Sequence, residues 1–357
     1  MALSIASAVI VGGALAHNSL ISPFPRNAVD KDLAPWNDTN WGPGVLPHNA
    51  SCLHPSTENS PTQKSGRCWG CTCVNGTEPC AVAQTCVWFN QGCSIGCPVC
   101  DGKEANPNTR DRCNSGMNAT NNDPQFRTYN RDVPAFSKED VFRWNPWRAP
   151  GSAPVYDACG MAGGSPQWVA TQLSFIDTPH AKQGDLGSKV LPKAPTGVVW
   201  KTGSKVEAKW SIRANHGGGY QYRLCPASEP LTEECMQKTP VPFAHELELE
   251  WSDGSRMTIE GKYLNSPGMG EGPAYSEWAM NPLPYSDFRG APQFSPPCNE
   301  TVDRKKNDTG VCSGRFPWDV ALVDQLIVPN VTAGDYVLQL RWDCEATAQV
   351  WTHCADI

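Results

Sequence analysis

Two of the seven histidines in this chain are set apart by what surrounds them. His17 follows Ala14-Leu15-Ala16, a small-x-small pattern of the kind signal peptidase cuts after. Cleavage there would make His17 the first residue of the mature chain, with three nitrogens near one point: the α-amine, Nδ1 and Nε2. An α-amine titrates near ~8, so a metal ion displaces its proton readily at neutral pH. His216 closes an alternating run and precedes Gly217-Gly218-Gly219, glycines that permit an unusual backbone path and leave an imidazole uncrowded. One amine and two imidazoles form a nitrogen-rich, near-planar donor set that favours copper among first-row divalent ions. Three protein ligands leave coordination positions open for oxygen chemistry. Singly, each histidine has a bland reading, a terminal residue in solvent and a structural residue at a strand end. Only the conjunction points to a metal.

Other catalytic signatures are absent from the sequence. It holds no Gly-x-Ser-x-Gly, no His-Glu-x-x-His, no phosphate-binding glycine loop and no dinucleotide fingerprint. His245-Glu246-Leu247-Glu248-Leu249 starts like a zinc helix but lacks the second histidine and sits in strand patterning. Carboxylates are numerous, yet sequence alone selects no glycosidase pair among them.

The elements that must position the two histidines follow from composition. Met1 to Ala16 carries no charge and reads as a signal peptide, although the usual Lys or Arg at its start is missing; a truncated gene start explains that, and a buried strand is the competing reading. Residues 17–357 then form one large domain of about 340 residues, sent to an extracellular location. Seventeen cysteines and seven Asn-x-Ser/Thr sequons fit an oxidising, secretory route. The odd cysteine is unpaired, intermolecular or paired beyond this chain. A formal charge of −7 argues against nucleic acid or anionic membrane as partner, and nothing after the leader approaches ~18 uninterrupted apolar residues. With 31 glycines and 32 prolines the chain suits a loop-rich, disulfide-tied β protein.

Residues 52–113 hold ten of the seventeen cysteines with little aliphatic material, and read as a cysteine-rich insertion stabilised by disulfides. Cys68-x-x-Cys71-x-Cys73 with Cys97-x-x-Cys100 resembles zinc-ligand spacing, but a secreted chain favours disulfides. Trp69, Trp88 and Phe89 lie among these cysteines, either as a flat surface for stacking on sugar rings or as the segment's own small core. Ser137 to Trp144 starts like a short capped helix. Cys298 and Cys312 read as a local bridge.

From Val206 the pattern becomes regular. Val206, Ala208, Trp210, Ile212 and Ala214 alternate with Glu207, Lys209, Ser211 and Arg213, a strand with one buried face. Further strands are expected at 220–225, 247–251, 322–328, 336–342 and 349–357. Without a strand–helix–strand rhythm, this order points to an all-β, immunoglobulin- or fibronectin-III-like antiparallel sandwich with long loops.

The leader ending at Ala16, His17, Ala214-Asn215-His216 and Gln349-Val350-Trp351 together resemble the lytic polysaccharide monooxygenases, nearest to the chitin-binding type-4 domain sequences and their eukaryotic relatives. The likeness extends to Asn145–Gly151, Cys159–Gly164, Gly217–Cys225 and Glu233-Glu234-Cys235; residues 52–113 have no place in the family pattern. The resemblance implies one copper ion held in a histidine brace, by the amine and Nδ1 of His17 and the imidazole of His216. It makes Ala214 the small residue crowding the axial side, Gln349 an outer hydrogen-bonding residue and Trp351 the axial neighbour. The family usually has Tyr or Phe where Trp351 stands, and Gly is common where Asn18 stands. His353 shares the strand parity of Trp351 and Gln349, and so either faces the site or lies exposed at a sheet edge.

The activity implied is oxidative cleavage of glycosidic bonds in an insoluble polysaccharide, chitin or cellulose-like, by a monomeric enzyme using an external electron donor and O2 or H2O2. Two other classes remain: a non-catalytic polysaccharide-binding or wall protein, and a copper-binding protein of the same fold. Both copper readings require His17 at the mature terminus, whereas a sugar binder does not.

Overall fold

The computed structural model describes residues 17–33, 83–91, 151, 155–164, 175–215, 217–251, 256–266, 276–283, 320–344 and 349–357. The best-patterned run forms strand β4 (Lys205–Ala214), and its apolar positions Ala208, Trp210 and Ile212 are fully buried. β4 lies between β1 (His17–Ser22) and β10 (Val320–Ile327), and β10 in turn pairs with β6 (Phe243–Trp251), which pairs with β7 (Arg256–Ile259). The second sheet runs in the order β3 (Met161–Ala162), β2 (Trp88–Gln91), β12 (Gln349–Asp356), β11 (Tyr336–Asp343), β5 (Gly219–Pro226), β9 (Ser276–Met280) and β8 (Lys262–Ser266). Every one of these pairings is antiparallel.

One continuous core joins the inner faces of the two sheets. Leu20, Trp210, Ile212, Leu249 and Leu322 from the first meet Tyr220, Leu338, Leu340, Trp342 and Trp351 from the second. The chain is therefore an all-β sandwich, each of these side chains contributing roughly 1.5–3 kcal/mol by leaving water. Among the described residues no helix is long and apolar enough to cross a membrane.

The packing sharpens two expectations. Residues 83–91 fall inside the cysteine-rich segment, yet they supply a 3-10 turn and the strand β2, which pairs with β12 at the heart of the second sheet. Trp88 and Phe89 are fully buried, with Phe89 stacked on Trp351 and Trp88 edge-on to Phe175, so they are core and not a sugar-stacking surface. Trp69, the zinc-like cysteines, residues 137–144 and the Cys298–Cys312 pair lie outside the described residues. β11 is buried on both faces: Gln339, Arg341 and Asp343 alternate with the core residues and see no solvent either.

That second face is closed by a short helix, α2 (Glu233–Gln237), preceded in the chain by a single turn, α1 (Gly187–Val190). Thr232 caps α2 through the Cys235 amide, and the Cys225–Cys235 disulfide ties it to β5. Its Glu233 reaches Arg223 and Arg341, and Arg341 forks onto Asp343 at 2.7 and 2.8 Å. Both guanidinium groups lie over the Trp278 ring, 5.1 and 5.6 Å from its centroid. A second disulfide, Cys159–Cys354, pins the 155–164 segment to β12.

Candidate functional site

Five strand ends meet at one end of the sandwich. β1 begins there, and its first residue, His17, pairs with Ala214, the last residue of β4. The chain then turns through residues 215–218 into β5, whose first residue, Gly219, pairs with Asp343 at the end of β11. Asp343 in turn lies opposite Val350 near the start of β12. Topology thus brings His17, the turn containing position 216, Gln349 and Trp351 to one end of the fold. His216 and the side chains of His17 and Ala214 lie outside the described residues, whereas the backbone of the residues that flank position 216 is described.

That backbone is tied by side chains because the strand ladders end here and leave polar groups to satisfy. Asn215, almost fully buried, accepts through Oδ1 from the Gly217 amide at 3.0 Å and from Asn281 Nδ2 at 2.7 Å. Its own Nδ2 donates to the Leu283 carbonyl at 3.0 Å. The Trp342 indole N–H donates to the Gly217 carbonyl at 2.8 Å, and the Asn281 amide to the Gly218 carbonyl at 2.9 Å. Gly217 and Gly218 have φ of 63° and 85°, in the left-handed region where a side chain would be strained. Sequence patterning gives the two glycines but not the asparagines; an Asn beside a Gly-Gly pair is the only local signal of a side-chain-capped turn.

Gln349 is buried at the start of β12 and pairs with Gln91 of β2; its carbonyl accepts from the Cys344 amide. Trp351 is fully buried, opposite Trp342 on one side and Phe89 on the other, its ring 4.6 Å from that of Phe89. An indole here has bulk but no oxygen to offer a metal. His353 neither faces an open site nor lies exposed. It is fully buried, its Nε2 donating to the Thr85 carbonyl at 3.0 Å and its Nδ1 accepting from the Leu20 amide at 3.4 Å. Burial holds the ring neutral, with its pKa pulled down to about 3, so it joins β12 to β1 as a structural residue.

A second buried titratable group lies behind the site. Trp342 packs on Trp210, and Trp210 on Tyr220. The Tyr220 and Tyr222 hydroxyls both donate to Asp324, each at 2.9 Å. Asp324 points inward from β10, between Leu322 and Leu326, and desolvation raises its pKa to about 7. Desolvation and the neighbouring Asp324 push both tyrosines well above their usual range, so they remain donors at every accessible pH.

The donor set at the sandwich end suits copper chemically: the residue paired with His17 stands two positions before His216, and both are nitrogen donors. No family model matches the chain. Curated relatives do. The lytic polysaccharide monooxygenase aasB of Emericella nidulans is 26% identical over 170 residues, 44% of this chain and 48% of that protein. The AA13 family lytic polysaccharide monooxygenase A of Aspergillus terreus is 23% identical over 169 residues, 45% of this chain and 40% of that protein. The chain spans less than half the length of either relative. Among solved structures, the AA15 lytic polysaccharide monooxygenase from Thermobia domestica in the Cu(I) state aligns over 44% of this chain and 60% of its own, at 17% identity and a TM-score of 0.21. The cellulose-active CelS2 in complex with copper aligns over 95% and 97%, at 13% identity and a TM-score of 0.24. Scores this low leave the description of the fold to the strands themselves. Over somewhat less than half of its length, the chain is similar in sequence to lytic polysaccharide monooxygenases.

Proposed function

We propose that this is a secreted copper-dependent monooxygenase that cleaves glycosidic bonds of an insoluble polysaccharide, chitin or cellulose-like. His17, through its amine and imidazole, and His216 would hold the ion, which when bound supplies the redox chemistry that activates O2 or H2O2 with electrons from an external donor. Ala214, paired with His17 through the backbone, would be the small residue that crowds the axial side. Trp351, fully buried against Phe89, would present an apolar ring with no oxygen donor as the axial neighbour, and Gln349 is the candidate for a hydrogen bond toward the site. The observation that carries the reading is the His17–Ala214 pairing, which sets the first residue after the leader beside the turn that bears His216. The names of the curated relatives support it independently.

Terminal sequencing of the secreted protein comes first: a mature chain beginning anywhere but His17 defeats the copper assignment. The purified protein is then incubated with Cu(II), ascorbate and chitin, cellulose, xylan or pectin, and oxidised oligosaccharides are sought by mass spectrometry. Oxidised products that vanish in His216→Ala are expected. Tight copper binding without products on any polymer points instead to a copper-binding protein of this fold, and polymer binding without copper to a carbohydrate-binding one.

A further inference from the structure

The turn that bears His216 is more heavily tied than turning the chain requires. Two glycines in left-handed conformations already reverse the direction between β4 and β5. Yet both asparagine side chains at the turn are buried, which costs free energy unless their hydrogen bonds are made. Asn215 spans position 216, binding the amide of residue 217 from the side chain of residue 215. Asn281 anchors that bridge from the end of β9: its Nδ2 holds Asn215 Oδ1, its Oδ1 accepts from the Leu283 amide at 3.1 Å, and its own amide holds the Gly218 carbonyl. With Trp342 on the Gly217 carbonyl, the peptides on the downstream side of position 216 are fixed from two further elements of the second sheet.

Resting on the reading of His216 as a metal ligand, we propose that Asn215 and Asn281 are a positioning pair. They fix the backbone of the residues that flank position 216 before metal arrives, so that ion binding does not have to order the turn. The chemistry of both residues suits this. An amide is neutral, so it adds no charge beside the ion, and it donates and accepts at once, so one side chain can link the strand β4 to the 281–283 segment. Preorganised ligands lose less conformational freedom on binding, and residues that orient metal ligands typically change affinity roughly 10- to 100-fold when removed.

The test compares wild type, His216→Ala, Asn215→Ala and Asn281→Ala, all with the native His17 terminus. Cu(II) affinity is measured by competition, the Cu(II) EPR spectrum is recorded, and the metal-free proteins are followed by far-UV circular dichroism and thermal unfolding. Asn215→Ala loses three hydrogen bonds and is the variant at risk of misfolding; Asn281→Ala, at a strand end, carries the decision. The expected result is a folded Asn281→Ala protein binding Cu(II) roughly 10-fold or more weaker, with altered hyperfine splitting. A lower melting temperature with unchanged affinity and spectrum makes the pair merely structural and overturns the proposal, while loss of binding in His216→Ala keeps the copper reading. If His216→Ala binds copper like wild type, that reading fails, and the pair has no ligand to position.

Discussion

Asp324 and His353 are buried groups whose pKa values are displaced in opposite directions, and the pH dependence of stability should expose both. Asp324 titrates near 7 in the fold instead of 3.8. Between those values the native state holds a proton that the unfolded chain has released. Its contribution is therefore full below pH 3.8 and is lost as pH rises through 7, on the order of 4 kcal/mol at ~1.4 kcal/mol per pH unit. His353 titrates near 3 instead of 6.5. Between those values the unfolded chain holds a proton that the native state excludes. That contribution is full above pH 6.5 and is lost as pH falls toward 3, on the order of 5 kcal/mol. Over pH 4 to 6.5 the two slopes have equal size and opposite sign, so these two groups together leave stability flat.

Single substitutions should uncover each slope. Asp324→Asn keeps a carbonyl for one tyrosine hydroxyl while the other turns to accept from the amide. Near pH 4 it should match wild type, and its advantage should grow with pH to about 4 kcal/mol by pH 8. His353→Gln keeps a donor for the Thr85 carbonyl; its deficit relative to wild type should be largest above pH 6.5 and shrink on acidification. The measurement is urea unfolding of wild type and both variants at unit steps from pH 4 to 8, with disulfides intact, read as differences from wild type so that other titrating groups cancel. A pH-independent difference for Asp324→Asn would show that the carboxylate is ionised in the native core throughout, and the account of that core would be wrong.

Two further outcomes follow from packing. Glu233 is held down to about 2, against its burial, by the charges of Arg223 and Arg341, so its stabilisation is complete above pH 4.5 and is lost as pH falls toward 2. Glu233→Gln leaves the two guanidiniums with one fewer counter-charge and should cost roughly 3–5 kcal/mol at pH 7 in urea unfolding, less below pH 4. Gly160, with φ of 85°, lies where a Cβ would sit 2.9 Å from the Thr352 carbonyl oxygen and 3.1 Å from the Trp88 carbonyl carbon. Gly160→Ala should therefore destabilise by about 2 kcal/mol or more, seen as a fall in melting temperature.

The sandwich was legible because period-2 alternation reports burial directly. Val206 to Ile212 and Leu247 to Leu249 are strand segments whose apolar side faces the core, as their pattern implies. Pattern fails where a polar residue is buried with a partner distant in sequence. Nothing in the pattern around Arg341 and Asp343 names a partner for them, but Glu233, 108 positions from Arg341, closes over them. Asp324 sits in an apolar run that gives no hint of the two tyrosines waiting across the sandwich. His353 has the parity of a site residue but meets Thr85, 268 positions away. Of the site itself, sequence supplies the ligand candidates and the Gly-Gly turn. It cannot supply Asn281, because nothing local links that residue to Asn215, 66 positions earlier.

These buried polar groups fall in two places. Asp324 and the Glu233–Arg341 cluster join one sheet or helix to another through the body of the sandwich, and their loss should register in unfolding. Asn215, Asn281 and the Trp342 indole act where the ladders stop, and each binds a group on residue 215, 217 or 218. A sheet end has no ladder partner to satisfy its last peptides, so side chains must do it; which peptides they choose is not dictated by the fold. Here they hold the carbonyls and amide of residues 217 and 218. Gly217 and Gly218 are themselves buried, so a purely structural cap would call for the same protein partners. Capping and positioning are therefore told apart by the ligand and not by the bonds: the Cu(II) spectrum of Asn281→Ala reads geometry where a melting temperature does not.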